Sequence, residues 1–545
     1  MVSVQQHPAS VDSKTFYFLA LLLFVCQVTS YTADDYGFED EPAYKYWFEK
    51  GKVELANALK ATENFNERSA RNIILFLGDG MGVSTVTASR IRRGQLNGDS
   101  GEENLLSFEK FPHIALTKTF SMDSQVTDSA AAGTSMMTGV KVNMGVLGCD
   151  SRVAKGNCSN YRRDTRLKTL LHRFIDEGRS TGIVTNSRIT HATPASAYAQ
   201  IPHREWEGDV DLPLSSSYSS GDGELMEEDL EKASAEDVET HPCKDIDDIA
   251  KQLVMNNPRI KVLMGGGRRY FLDNATTDPE TGVVGKHHRR DGLNLVQEWK
   301  RDKWARHARA HYVWNKKQFE AVDSLKTDYL LGLFSPSHMP FEQEGERRKQ
   351  PNLVEMTKKA IEILQKNRRG YFLVVEGARI DFGHHANSAS TAISETLELD
   401  QAVATAVKMT STGRAAKETL ILVTADHSHA FSIQGYAPRG NDILGKSRPS
   451  PDLSSLDGLP YTTLGYTNGP AFGRSDLTNV DTASPDFHQE SCIPLSTETH
   501  AGEDVSVYAK GPWAHLFHAT HDQTYIYHVM EWAACVGRSK RFCRD

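Results

Sequence analysis

The stretch Asn72-Ile-Ile-Leu-Phe-Leu-Gly-Asp-Gly80 decides the fold. Its apolar run has no alternation with polar residues, so it reads as a strand buried on both faces, and a Gly-Asp-Gly turn stops it. Shorter runs of the same kind lie at 181–185, 261–264, 371–375 and 419–424, with a weaker one at 505–508. Between them are segments long enough for helices, such as 353–365 and 391–409, and a further helix is expected at 47–61. Apolar strands alternating with helices predict an α/β fold, a mostly parallel central sheet sandwiched by helices.

Two regions interrupt this rhythm. Residues 215–239 are rich in Ser, Glu and Asp and read as an exposed loop or solvated helix. Residues 433–497 are rich in Gly, Pro, Ser and Thr, which predicts a loop-rich insertion outside the main sheet. No repeat at a solenoid period is present. The chain has 545 residues, 39% apolar and 24% charged, as expected of a globular protein with one large domain carrying insertions. A formal charge of −9 argues against nucleic acid as a partner.

At the N-terminus, Lys14 precedes an apolar run from Phe16 to Val28, followed by Thr29-Ser30. This is the order of a secretory signal peptide, residues 1–30, and the run is shorter than the ~20 residues that span a bilayer. Residues 31–545 then form the mature domain. Removal of Cys26 leaves Cys149, Cys158, Cys243, Cys492, Cys535 and Cys543, an even number suited to disulfides in an oxidising compartment. Cys535 and Cys543 are close enough to form a local staple. Asn157-Cys-Ser and Asn274-Ala-Thr are glycosylation sequons. The C-terminus has no apolar tail of the kind a glycosylphosphatidylinositol signal needs, so no membrane anchor is expected.

In open α/β sheets ligands gather beyond the carboxyl ends of the strands. Asp79 follows the first apolar run. Glu376, Asp381 and His384-His385 follow the run at 371–375, and Asp426-His427 and His429 follow 419–424. His191 and Thr193 lie past 181–185, and His500 precedes the last run. Singly each has an ordinary structural reading: a turn, a helix cap, or an ion pair of Glu376 with Arg379. Together they put ligand chemistry at several strand ends. Asp with His suits zinc, and an all-oxygen set of Asp, Glu and Thr suits magnesium. Ser129 opens the alanine run in Thr127-Asp-Ser-Ala-Ala-Ala-Gly-Thr134. It reads either as a helix N-cap or as a nucleophile at a helix N-terminus, where free N–H groups suit a phosphate. Neither a Gly-x-Ser-x-Gly elbow nor a Walker-type loop is present.

Five motifs resemble the metal-site motifs of animal alkaline phosphatases: the 72–82 and 127–134 stretches, Val375-Glu-Gly-Ala-Arg-Ile-Asp-Phe-Gly-His-His385, Val423-Thr-Ala-Asp-His-Ser-His429 and Thr499-His-Ala-Gly-Glu-Asp504. The resemblance runs from about residue 35 to residue 543. It implies a homodimer with two zinc ions and one magnesium ion per subunit, hydrolysing small phosphate monoesters to an alcohol and phosphate. One zinc would be held by Asp381, His385 and His500, the other by Asp79, Asp426 and His427. Magnesium would take Asp79, Thr193 and Glu376. Ser129 would be the nucleophile and Arg204 would bind phosphate. His191, His384 and His429 would support the ligands. The segment 433–497 would be the family's crown, with Tyr436 reaching the partner subunit. Four carboxylates against three divalent ions leave about +2, which complements a phosphate dianion. A phosphoserine made and broken by two in-line displacements implies net retention at phosphorus.

Some positions depart from the family. His241 stands where an acidic ligand of a fourth ion, calcium, is expected, although Glu280 and Asp291 remain nearby; that site is in doubt. Phe382 replaces a frequent histidine. Cys535–Cys543 and Cys158–Cys243 are the expected pairs, with the full connectivity open. A sulfatase needs a Cys/Ser-x-Pro-x-Arg context that Ser129 lacks. A related two-metal phosphodiesterase, or a non-catalytic binding protein on the same fold, remains the alternative.

Overall fold

The structure, a computed structural model, describes residues 43–60, 66–213, 243–284, 289–345, 349–447 and 455–543. The expected signal peptide, the 215–239 segment and His241 lie outside the described residues. Eight strands come first along the chain: β1 (Asn72–Gly78), β2 (His113–Lys118), β3 (Ser180–Arg188), β4 (Val262–Gly266), β5 (Ala310–Val313), β6 (Tyr329–Leu333), β7 (Tyr371–Gly377) and β8 (Thr419–Ala425). Seven follow: β9 (Ser428–His429), β10 (Phe431–Ile433), β11 (Leu464–Gly469), β12 (Ser491–Pro494), β13 (His500–Ala501), β14 (Val505–Lys510) and β15 (Thr520–Asp522).

Ten of these form one sheet in the order β15-β2-β14-β8-β1-β7-β3-β4-β6-β5. From β8 to β5 every neighbouring pair is parallel. The strand at 505–510 runs antiparallel to both its neighbours. The central position of β1 explains its composition. Ile73, Leu75 and Leu77 enter the core on one face, and Ile74 and Phe76 enter the core on the other. At about 1.5–3 kcal/mol per buried apolar side chain, neither face of this strand can be turned to solvent.

Every apolar run singled out in the sequence is a strand of this sheet. Four of its strands were not anticipated: β6, a short apolar run that went unread, and β2, β5 and β15, whose signatures are weaker. β2 alternates exposed and buried residues near a sheet edge, and β15 is only three residues long. The expected helices appear as Ala43–Lys60, Leu353–Leu364 and Ala389–Met409. Within 433–497, β11 and β12 join β10 in a separate three-stranded sheet. Disulfides link Cys158 to Cys243 and Cys535 to Cys543, while Cys149 and Cys492 are free.

Beyond β4, Arg268 is fully buried. Its guanidinium donates to both Asp278 oxygens at 2.8 and 3.0 Å, to Glu280 at 2.7 Å and to the Leu333 carbonyl at the end of β6. Burial pushes the Asp278 carboxyl up, but Arg268 and backbone N–H donors override this and hold it at about 2. The stabilisation is therefore complete above the unfolded carboxyl value near 3.9 and is lost as pH falls through about 2. Asp278→Asn is expected to destabilise the fold by about 3 kcal/mol in urea unfolding at pH 7, with the difference from wild type shrinking towards pH 2.

Candidate functional site: a carboxylate and imidazole cluster at the strand ends

The sheet register brings the site together. Leu77 of β1 pairs with Glu376 of β7 on one side and Thr424 of β8 on the other, and Thr185 of β3 pairs with Glu376. Asp79, Asp426 and Glu376 therefore end three adjacent strands, and all three are fully buried. The Asp79-Gly80 turn is tight. Gly80 has φ +66°, and a Cβ there would meet the His429 ring at 2.3 Å, so only glycine fits. The Gly80 N–H donates to Asp426 Oδ1 at 2.9 Å, as does the His427 N–H at 3.0 Å.

What these carboxylates lack matters more. Among the described residues, neither oxygen of Asp79 has a hydrogen-bond partner, nor do Asp426 Oδ2, Glu376 Oε1 and Thr193 Oγ1. Orphaned buried oxygens are costly unless something compensates them. Burial and then the neighbouring charge of Asp426 push Asp79 well above the ordinary range. Burial likewise raises Asp426, and it raises Glu376 to about 7 against hydrogen bonds from Thr185 and Ser187. Three carboxylates that repel one another and keep four oxygens without a protein donor are the donor set for divalent cations.

The residues fit metal in three places. His427 Nε2 lies 3.4 Å from Asp79 Oδ1 and 3.3 Å from Asp426 Oδ2. His385 Nε2 and His500 Nε2 are each 3.3 Å from Asp381 Oδ1 and 3.2 Å from one another. Ligand atoms ~2.0–2.1 Å from one tetrahedral zinc lie about 3.3 Å apart, so both sets fit that ion. Asp79 and Glu376, with Thr193, offer the all-oxygen set; a His191 nitrogen is also within 4.8 Å of both carboxylates.

Ser129 is the first residue of the helix Ser129–Thr138, not its cap. The cap is Asp128, whose Oδ1 accepts from the Ala131 and Gly145 N–H groups. Ser129 Oγ lies 3.3 Å from His427 Nε2. The helix approaches the segment carrying Thr193 closely: a Cβ on Gly133 would meet Ser196 Oγ at 2.7 Å. Asp128 Oδ2 also accepts from Arg204 Nη1 at 3.0 Å, and Arg204 Nη2 donates to His191 Nε2 at 3.2 Å. Burial pushes Asp128 up, but Arg204 and the two N–H donors outweigh it and keep it below the ordinary carboxyl value. It is therefore an anionic clamp on Arg204.

The remaining histidines divide. His429 Nε2 is 2.8 Å from Asp381 Oδ1, and its Nδ1 is 2.5 Å from Glu498 Oε2. Burial lowers its basicity, but the two carboxylates more than reverse that and raise it to about 10. His384 instead bonds Thr85 Oγ1 and the Tyr466 hydroxyl, both at 2.9 Å, and packs its ring on His429. Sequence reasoning missed Glu498 and Asp128. Both were within reach, since Glu498 lies two residues before His500 and Asp128 is an acidic residue in front of a helical alanine run. The carboxylates named for a fourth ion are engaged otherwise: Glu280 by Arg268, and Asp291 by the buried Arg289 at 2.6 Å. Asn157 and Asn274 are exposed.

The alkaline phosphatase family profile matches residues 70–536. The chain belongs to the alkaline phosphatase family. It is 43% identical over 509 residues to alkaline phosphatase of Gadus morhua, covering 92% of this chain and 99% of that one. It is 41% identical over 533 residues to the tissue-nonspecific isozyme of Homo sapiens, covering 96% and 94%. The fold is shared with alkaline phosphatase from the Antarctic bacterium TAB5, at 21% identity and TM-score 0.56 over 87% of this chain and all of that one. It is also shared with the Thermus thermophilus enzyme, at 21% identity and TM-score 0.58, covering 87% and 93%. The chain is an alkaline phosphatase enzyme; its family implies metal ions, and the structure offers candidate groups to hold them.

Asp128→Asn retains a capping side chain but removes the charge that clamps Arg204. The Ki for inorganic phosphate and the KM for a monoester are expected to rise about tenfold, with kcat within about threefold of wild type and thermal stability within ~1 kcal/mol.

Proposed function

We propose that this chain hydrolyses phosphate monoesters through a phosphoserine on Ser129, at a site built for two zinc ions and one magnesium ion. The observation that carries this reading is the set of buried carboxylate oxygens with no hydrogen-bond partner, beside a serine at a helix N-terminus. Asp381, His385 and His500 would hold one zinc, and Asp79, Asp426 and His427 the other. Asp79, Thr193 and Glu376 would hold magnesium. Bound there, the ions supply Lewis-acid charge that makes a serine oxygen nucleophilic at neutral or alkaline pH and offsets the charge of the phosphoryl group.

The chain's own groups do the rest. Arg204 presents a planar guanidinium, fixed by Asp128 and His191, to two phosphoryl oxygens. The free N–H groups of the Ser129–Thr138 helix add a fixed positive end. Ser129 Oγ forms the bond to phosphorus as the ester P–O bond breaks and the alcohol leaves with a proton. Water then attacks the same phosphorus, the Oγ–P bond breaks, and Ser129 recovers its proton as inorganic phosphate departs. Two in-line displacements give net retention.

We also infer a secreted, glycosylated homodimer. The leader-like N-terminus and the two disulfides support export. In the 433–497 region, Tyr436 is 82% exposed and Phe472 58%, and apolar exposure on this scale suits a subunit contact. The double variant Tyr436→Asp, Phe472→Asp is expected to halve the mass in sedimentation equilibrium.

Ser129→Ala is expected to lower turnover of para-nitrophenyl phosphate by about 10³-fold or more and to abolish acid-stable labelling by radioactive phosphate. Near-normal turnover would exclude Ser129 as nucleophile. Elemental analysis of the active enzyme is expected to give two zinc and one magnesium per chain, with chelation abolishing activity.

A further inference from the structure

The catalytic cluster occupies the carboxyl ends of the parallel strands, so the opposite end of the sheet is a separate face. Its chemistry is read in the residues that lead into the strands. The segments 67–71, 176–179, 259–261, 306–309, 323–328, 366–370 and 414–418 immediately precede the seven strands from β8 to β5. Together they hold thirteen Arg and Lys against six Asp and Glu, in a chain whose net charge is −9. Five of those carboxylates are already ion-paired: Asp176, Glu177, Asp323, Asp328 and Glu418. The residual field of this face is therefore positive. Complementing helix C-termini accounts for about one cation per helix end. It does not account for adjacent exposed pairs such as Arg368-Arg369.

Two clefts border this face. A cavity of about 330 Å³ is lined by Arg166, Lys168, His172 and Arg259 against one carboxylate, Asp176, which pairs with both Lys168 and Arg259. A larger one of about 740 Å³ is lined by Lys52, Gly537, Arg538, Lys540 and Arg541, with no carboxylate among the described residues of its wall. The second lies on the loop closed by Cys535–Cys543, so its cations are held on a covalently fixed scaffold. One lining cation of each cleft reaches the turn before β3. Asp176 and Glu177 are neighbours there; Arg259 pairs with the first at 3.8 Å and Lys540 with the second at 2.8 Å.

We propose that this face binds a linear sulfated polysaccharide, laid from one cleft across the 176–179 turn to the other. A chain ligand fits because the cations line two separate clefts, one on each side of a single turn, that a polymer can follow. A polymer of sulfate half-esters also meets many cations at once, as the spread of charge requires. Because the face lies opposite the strand ends that carry Asp79, Glu376 and Asp426, the bound enzyme keeps its catalytic mouth open to solution.

The test uses the full-length, metal-loaded enzyme on immobilised heparin at about 0.15 M NaCl, where exposed charges are screened beyond ~8 Å. Wild type is expected to be retained, to be eluted by free heparin but not by an equal sulfate concentration of sodium sulfate, and to hydrolyse para-nitrophenyl phosphate on the column. Lys168→Ser with Arg259→Ser, and separately Lys540→Ser with Arg541→Ser, should each weaken binding at least tenfold, with unchanged kcat/KM. Flow-through of wild type, elution by sodium sulfate alone, or retention undiminished in both variants would overturn the proposal. So would tighter binding to vesicles containing phosphatidylserine than to heparin, or loss of activity on binding.

Discussion

Like charge held out of water is the constraint around which this molecule is organised. Asp79, Asp426 and Glu376 sit at the ends of three neighbouring strands, buried and unable to satisfy one another. A protein ordinarily avoids such an arrangement, because each unsatisfied oxygen is a desolvation penalty with nothing returned. Here the penalty is concentrated where β1 and its neighbours have apolar cores on both faces, the stiffest part of the fold. Rigid packing keeps the carboxylates from relaxing away from each other, which makes the pocket a preorganised receptor for cations.

The periphery of the site distributes that burden. His429 lies between Asp381 and Glu498 and spreads negative charge from the cluster outwards. His500 reaches the cluster by a two-residue antiparallel pairing with the His429 strand, while its Nδ1 faces the Thr127 carbonyl at 2.9 Å. Asp128 performs two tasks with one side chain, closing the helix that begins with Ser129 and fixing the arginine that faces it. Catalytic groups on separate elements are thereby tied to each other by bonds that do not involve the substrate.

Much of this was legible in the sequence because buried parallel strands leave an unambiguous mark. Ile73 to Leu77 could be nothing other than a doubly covered strand, and residues placed just after such runs had to share one end of the sheet. The motif resemblance then supplied roles that spacing alone cannot give. Less legible were elements whose stability comes from partners rather than composition. β2 alternates and is recognisable only with the strand at 505–510 beside it, and β15 is three residues long and pairs with β2 alone. Glu498 was hidden for a similar reason: its importance comes from contacts with His429 and the Ala430 N–H, which are remote in sequence. His384 shows the converse. The motif resemblance named it as a supporting group, while its contacts with Thr85, Tyr466 and the His429 ring are seen only in the fold.

The pairing of His500 with His429 also imposes an order on biosynthesis. The chain leaves the cluster after residue 429, builds the three-stranded insertion and returns only at residue 500. A ribosome working from the N-terminus has therefore made every residue up to 499 before the imidazole trio around Asp381 can close. Chains that stop short of His500 already hold Asp79, Asp426 and Glu376 but not the full imidazole trio, so the Asp381 cluster is the last part of the site to form.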